Sequence, residues 1–234
     1  MSATTTAMRS LGSIPELNNG DHLSREEFER RYHAMPEVKK AELIEGVVYM
    51  PSPVKTDHHA EPHSLFIGWL IFYRTYTPGI RSGDNGTVRL DLDNEPQPDG
   101  FLFIDRKCGG QARIDEEGYI AGSPELVGEI SASSVSYDLH TKLTVYRRNQ
   151  VREYIVWRVL DEAIDWYVLR GSQYEKLAPD ATGIIRSAVF PGLWLDVPAL
   201  LHGDMAKVFA AVQQGLATTE HAAFVKGLAS YSPG

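Results

Sequence analysis

The chain holds a single cysteine, Cys108, among 234 residues. One thiol forms no intrachain disulfide and no thiolate cage for zinc, so the fold must rest on its core. Positive charge is also scarce. Lys and Arg number 23 against 31 Asp and Glu, a formal net charge of −8. Proteins that grip long stretches of duplex are usually basic, so strong non-specific binding along nucleic acid is disfavoured; a local basic groove is not. Long apolar runs are missing too. The longest apolar stretch, residues 64–73, falls far short of the ~20 residues a helix needs to cross a bilayer. The opening Met1-Ser-Ala-Thr-Thr-Thr-Ala7 lacks the basic-then-apolar pattern of a secretion signal, so a soluble, cytoplasmic protein is expected. No Gly-x-Ser-x-Gly elbow, Gly-x-x-x-x-Gly-Lys loop or Gly-x-Gly-x-x-Gly turn occurs, which argues against the chemistries built on them.

What is present suits a globular domain. The apolar fraction, 43%, is enough for a real core at this length. Residues 1–20, rich in Thr, Ser and Ala and ending in Asn18-Asn19-Gly20, look like a flexible lead. Residues 21–234 then form one domain, with a core over 41–170 and terminal helices between 203 and 228.

Local patterns give the elements. Ser24-Arg-Glu-Glu27 is a capping box that opens a helix ending near Met35, before Pro36. Residues 41–50 read as two strand arms around Glu45-Gly46, closed by Pro51-Ser-Pro53. Leu65, Trp69, Phe72 and Tyr76 recur at helical spacing in 56–76. Thr87–Leu92 alternates as a strand, and Gly100–Asp105 is a buried one. A glycine- and charge-rich excursion with a small hairpin spans 106–122. Glu125–Ser131 is a further strand. Ser133 or Ser134 caps a helix bearing Val135, Leu139, Leu143 and Tyr146, which Arg147-Arg148 close with cations suited to a helix C-terminus. Glu153–Val159 follows as a strand, and a crossover should set it parallel to the preceding one. Antiparallel strands at 164–169, 173–177 and 184–190, then helices at 203–215 and 218–228, complete an α/β fold of the α+β kind. Its centre is a mixed sheet flanked by helices.

Two carboxylates stand out. Asp99, in Pro98-Asp99-Gly100, sits at the mouth of a buried strand. Glu129 lies 30 residues on (129 − 99) and interrupts Leu126, Val127 and Ile130. A buried carboxylate needs a cation, a metal or a proton, because an unpaired one costs roughly several kcal/mol. Paired on adjacent strands with Lys142 near, Asp99 and Glu129 could hold a divalent metal and orient an attacking water. The plainer alternatives are a turn-forming Asp99, a structural ion pair at Glu129, and an Asp138–Lys142 pair on a helix surface. Glu42 could extend the metal site or flank a hairpin. His59 and His63 stand four apart, but no His-Glu-x-x-His and no third zinc ligand accompany them. His58 and His63 read as a solvated helix start, and Arg147 and Arg148 as a solvated helix end.

The order of elements, with Pro98-Asp99 and Pro124-Glu-Leu-Val-Gly-Glu-Ile-Ser131 on neighbouring strands, resembles the PD-(D/E)XK nuclease superfamily. More closely it resembles the Uma2 family of restriction-endonuclease-like proteins. Glu42-Leu-Ile-Glu-Gly46, Pro51-Ser-Pro53 with His59, the Asp138/Lys142/Tyr146 helix and Val151-Arg-Glu-Tyr154 also match, so the likeness covers roughly residues 24–195. It implies a restriction-endonuclease-like core. It also implies Mg²⁺ or Mn²⁺ on Asp99 and Glu129, with catalysis by Asp99, Glu129 and Lys142 and support from Glu42, His59 and Ser131. The superfamily places a lysine two residues after the glutamate, where this chain has Ser131, and the resemblance moves that lysine to Lys142. The expected substrate is nucleic acid, DNA ahead of RNA, and a homodimer would let two sites cut both strands. The alternative is a catalytically inactive binding or assembly module on the same fold.

Overall fold

Ser24 opens the first helix as the capping box requires, its hydroxyl accepting the Glu27 N–H at 3.4 Å. The computed structural model describes residues 14–50 and 59–231. Residues 1–13 of the expected lead, and Pro51-Ser-Pro53 and His58, lie outside the described residues. Helix α1 (Arg25–His33) buries Phe28 in a small cluster with Leu17, Leu43 and Val48. The hairpin of β1 (Glu42–Ile44) and β2 (Val47–Tyr49) turns at Glu45 and Gly46. Both residues have positive φ, 53° and 72°, the signature of a tight hairpin turn. Helix α2 (Glu61–Thr75) follows, then β3 (Ile80–Gly83), β4 (Val88–Arg89) and β5 (Gly100–Ile104). The excursion contains a 3-10 turn and a small hairpin, β6 (Arg113–Ile114) and β7 (Ile120–Ala121). Next come β8 (Leu126–Ser131), α3 (Val135–Tyr137), a π-helical turn over Asp138–Lys142, α4 (Leu143–Arg148) and β9 (Glu153–Arg158). The chain ends with β10 (Ala163–Arg170), β11 (Gln173–Lys176), β12 (Ile184–Arg186), β13 (Trp194–Asp196), α5 (Val197–Leu201), α6 (Met205–Leu216) and α7 (Thr219–Ser230). Among the described residues no helix is long and apolar enough to cross a membrane.

The central sheet has six strands in the order β11-β10-β9-β8-β5-β3. β8 and β9 pair in parallel, as the helical crossover between them predicts, and the other neighbours are antiparallel. Alternation along β8 divides the core. Leu126 and Ile130 join Phe66, Trp69 and Trp166 on one face. Val127 joins Phe101, Tyr146 and Tyr154 on the other.

Three departures from the sequence pattern have local causes. β3 is short and half polar, with only Ile80 buried, so it carries almost no apolar signal. The alternation at 87–92 yields only Val88–Arg89 as strand. Asp91 Oδ1 accepts from Asp93 N–H at 2.9 Å and from the Asn94 amide at 2.8 Å, turning the chain back. β12 stops before 187 because buried Glu153 accepts from Ser187 Oγ at 2.7 Å and Ala188 N–H at 2.6 Å. The Ala188 N–H is thereby withdrawn from a ladder.

Gly100 and Gly128 face each other across β5 and β8. A Cβ at Gly128 would come within 2.3 Å of Phe66 Cζ, and one at Gly100 within 2.9 Å of Phe66 Cε1. The paired glycines make a recess for Phe66, and so set α2 close against the sheet, with His59 and His63 at its leading end. Gly128→Ala should cost ~1–3 kcal/mol by overpacking. Urea denaturation measures this, and Phe66→Leu in the same chain should restore part of the loss.

Burial pushes the Glu153 carboxyl up to about 7, against the pull of its hydrogen bonds to Ser187, Ala188 and Val189. The folded chain therefore keeps a proton that the unfolded chain loses near 4.5. Stability from this group is present below that unfolded value and falls, by up to ~1.4 kcal/mol per unit, as pH rises to about 7. Denaturant titrations between these limits should show that slope, and Glu153→Gln should remove it.

Candidate functional site

Strand register brings the two carboxylates together. Gly100 faces Gly128, Phe101 faces Val127 and Leu102 faces Leu126. One step further along the same register puts Asp99 opposite Glu129, and opposed residues of an antiparallel pair share a face. Asp99 Oδ2 accepts the Ile130 N–H at 2.8 Å, so the carboxylate is fixed to the backbone beside Glu129.

Glu129 is held from the opposite layer. Tyr146 donates its hydroxyl proton to Glu129 Oε1 at 2.8 Å, and Lys142 Nζ donates to the same oxygen at 3.0 Å. Lys142 also donates to Glu42 at 2.9 Å, and Glu42 accepts the Gln97 N–H at 2.7 Å. The lysine thus ties hairpin β1–β2 to strand β8. Asp138 and Lys142 do not form a surface pair. Both are buried in the π-helical turn, a widened turn of the kind that often marks a functional site. Asp138 accepts from Ser134 Oγ at 2.6 Å, and Ser134 Oγ lies 3.2 Å from Ser131 Oγ. Ser131, at the superfamily's lysine position, belongs to this hydroxyl chain.

The other layer contributes His59 and His63, with rings stacked at 5.7 Å. His59 Nδ1 lies 3.1 Å from the Ile130 carbonyl, which only accepts, so Nδ1 carries the proton. Its Nε2 faces Asp99 Oδ1 at 3.6 Å. His63 is not a solvated helix start, since its Nε2 donates to the Asp99 carbonyl at 2.8 Å. Arg147 and Arg148 do close α4 at the surface, where Arg147 donates to Ser172 O at 2.8 Å and Arg148 to Glu45 at 2.5 Å.

One residue escaped sequence reasoning altogether. Lys40 Nζ donates to Asp99 Oδ1 at 3.1 Å and to Asn85 Oδ1 at 3.0 Å. The only local cue is the Lys39-Lys40 doublet before β1. Its position over the sheet comes from the long-range bridge between Leu43 and Glu95, which no local pattern shows.

Four buried carboxylates, Glu42, Asp99, Glu129 and Asp138, surround two lysines, Lys40 and Lys142. Four negative groups against two positive leave a formal surplus of two negative charges. Burial pushes Glu129 up to about 8; Lys142 opposes this, while Asp99, Asp138 and Glu42 add to it. Burial also pushes Asp99 up, but Lys40, the Ile130 N–H, His59 and Lys142 outweigh it and hold Asp99 below the usual range. Burial works against the Lys142 ammonium, yet Glu129 and Glu42 keep it charged well above the ordinary lysine range. Glu129 and Asp138, both pushed up by burial, are therefore the carboxyls most drawn towards the protonated form. Among the described residues Oε2 of Glu129 accepts no hydrogen bond, because Lys142 and Tyr146 both use Oε1.

Among the described residues, no three His, Cys, Asp or Glu side chains gather as a ready metal cage. The local chemistry nevertheless fits a hard cation. It offers carboxylate and carbonyl oxygens, among them a Glu129 oxygen without a hydrogen bond among the described residues, and excess negative charge, the donor set of Mg²⁺ or Mn²⁺ rather than of zinc.

Residues 25–198 match Uma2, described as a putative restriction endonuclease. The chain belongs to the Uma2 family. The match spans Glu42, His59, Asp99, Glu129, Ser131 and Lys142 and ends before α6. The structure is similar to the crystal structure of a putative nuclease of DUF820 from Anabaena variabilis ATCC 29413. The TM-score is 0.51 at 13% identity, over 78% of this chain and 97% of that one. At that identity the likeness is one of fold: a nuclease fold with a mixed sheet flanked by helices. No curated protein matches the chain.

Within this Uma2 chain, Lys142→Met keeps the side-chain length but strands Glu42 and Glu129 without a counter-charge. Urea unfolding should show a loss of ~3–5 kcal/mol. Adding Glu42→Gln should recover part of it.

Proposed function

We propose that this Uma2 chain is a divalent-metal-dependent nuclease that hydrolyses phosphodiester bonds, with its active site at the ends of β5 and β8. The observation that carries the reading is the Asp99 carboxylate, bonded to the Ile130 N–H beside Glu129, inside a buried cluster with surplus negative charge. Asp99 and Glu129, with the Ile130 carbonyl, would hold Mg²⁺ or Mn²⁺. Such an ion supplies Lewis-acid polarisation of a phosphoryl oxygen and a bound water of lowered pKa.

The chain's own residues do the rest. Lys142 and Tyr146 fix Glu129 Oε1 and leave Oε2 available. Glu42 shares the Lys142 charge and anchors the hairpin. His59, protonated at Nδ1, presents Nε2 towards Asp99, where it can receive a proton. Ser131 contributes no charge, and its hydroxyl supports the start of the π-helical turn. The family description favours DNA over RNA, a cytoplasmic setting follows from such a substrate, and a pair of chains would cut both strands of a duplex. The net charge of −8 and Ser131 at the lysine position favour the second reading, an inactive binding or assembly module.

Cleavage decides between the two. Supercoiled plasmid and short single-stranded DNA and RNA are incubated with Mg²⁺, Mn²⁺ or EDTA. Asp99→Asn, which keeps an acceptor for the Ile130 N–H, is run beside the wild type. Cleavage should require the metal and fall by at least ~100-fold in the variant, as loss of a few kcal/mol of transition-state stabilisation demands. Folded wild type that cuts nothing would favour the binding module. Equal cutting by both proteins would place the site elsewhere.

A further inference from the structure

Two lysines stand at the carboxylates, and they differ in what they can touch. The Lys142 side chain is 4% exposed. Its ammonium is spent on Glu42 and Glu129, and Tyr137 stands beside it at 5.6 Å. Swinging it towards a substrate would abandon two buried carboxylates. The Lys40 side chain is 25% exposed. One of its contacts is the charged Asp99; the other is the exposed neutral amide of Asn85.

We propose that Lys40 is the lysine that meets the scissile phosphate, and that Lys142 is a positioning residue acting through Glu129 and Glu42. The proposal rests on the nuclease reading of the Asp99 site. A phosphate oxygen is a stronger partner for an ammonium than an amide oxygen is. Exchange of Asn85 for phosphate therefore leaves the Lys40–Asp99 contact in place. The phosphate is then held within one hydrogen-bonded lysine of Asp99. Beside that contact opens a groove of about 400 Å³, lined by Tyr32, Asn85, Thr87, Gln97 and Tyr119. Gln97 is buried, and both of its recorded side-chain bonds use Nε2, to Tyr32 and Thr87. Among the described residues its Oε1 has no partner. The Tyr32 ring and the Gln97 amide oxygen suit the base of the nucleotide that follows the phosphate held by Lys40, while the Tyr119 ring, covered by Arg89 at 4.4 Å, forms the wall.

The test uses the full chain and a fluorescently labelled single-stranded DNA oligonucleotide. Binding is followed across a salt series in calcium and in EDTA, beside cleavage in Mn²⁺ and direct Mn²⁺ titration by calorimetry. Lys40→Ala should fold with a wild-type melting temperature and bind Mn²⁺ undiminished. It should bind the oligonucleotide ~10-fold more weakly, with a salt slope reduced by ~0.7. Cleavage should fall ~100-fold, the scale of losing one charge-stabilising donor. Lys40→Arg should restore most of the binding. Lys142→Met should melt earlier and keep the wild-type salt slope. Wild-type affinity and slope in Lys40→Ala, with cleavage intact, would overturn the role of Lys40 and leave the nuclease reading standing. Wild type that binds but never cleaves, with binding lost in Lys40→Ala, would keep the phosphate contact and overturn the nuclease. Wild type that neither binds nor cleaves overturns both.

Discussion

The rest of the site depends on one buried ammonium. Lys142 lies between Glu42 on β1 and Glu129 on β8, and without it two carboxylates would face each other in the interior. A buried ion pair is rarely a net gain over a well-packed apolar contact, because each charge loses its hydration. What this one supplies is placement. It docks the hairpin against the sheet, and among the described residues it leaves Oε2 of Glu129 without a hydrogen bond. The π-helical turn belongs to the same constraint, because it sets Asp138 and Lys142 together in the interior rather than on a helix surface.

Buried carboxylates alone do not mark this place. β8 is preceded by Glu125, and β9 begins with Glu153; both are fully buried. Glu125 is satisfied by the N–H groups of Ile104 at 2.8 Å and Gln111 at 3.0 Å. Glu153 is likewise held by the loop at 187–189. Backbone N–H groups, with the Ser187 hydroxyl at Glu153, engage both oxygens of each group and pin loops to the sheet. Glu129 instead meets a lysine and a phenol on one oxygen only. The distinction is one of partners, not of burial.

The same distinction explains how much of the site was legible. Asp99 and Glu129 could be read because one stands at the mouth of a short, strongly apolar strand and the other inside the next. Lys142 could be read from the family resemblance, but its burial could not. The helix pattern of Val135, Leu139, Leu143 and Tyr146 fits a regular helix equally well, so the widened turn is silent in sequence. Lys40 left only the Lys39-Lys40 doublet as a cue, since its place comes from docking a hairpin across the chain. The glycine recess left none: Gly100 and Gly128 read as ordinary strand residues until Phe66 of α2 was seen against both. The Ser131 departure was legible as a missing charge, though not as part of a hydroxyl chain with Ser134 and Asp138.

Net charge reads differently once the cluster is in place. The overall value of −8 counts against a nucleic-acid partner only if the acidic groups face that partner. Several of them are buried around Lys142 and Lys40, where they repel a phosphate at short range and attract a cation. Under the nuclease reading this fixes an order of events. A phosphodiester meets net negative charge at the Asp99 edge until the surplus there is neutralised, and only then does Lys40 gain by turning from Asn85 to phosphate. Acidity of the chain and binding of a polyanion are then compatible. The first would let Asp99 and Glu129 hold a cation, whose charge would lower the repulsion that the second meets there.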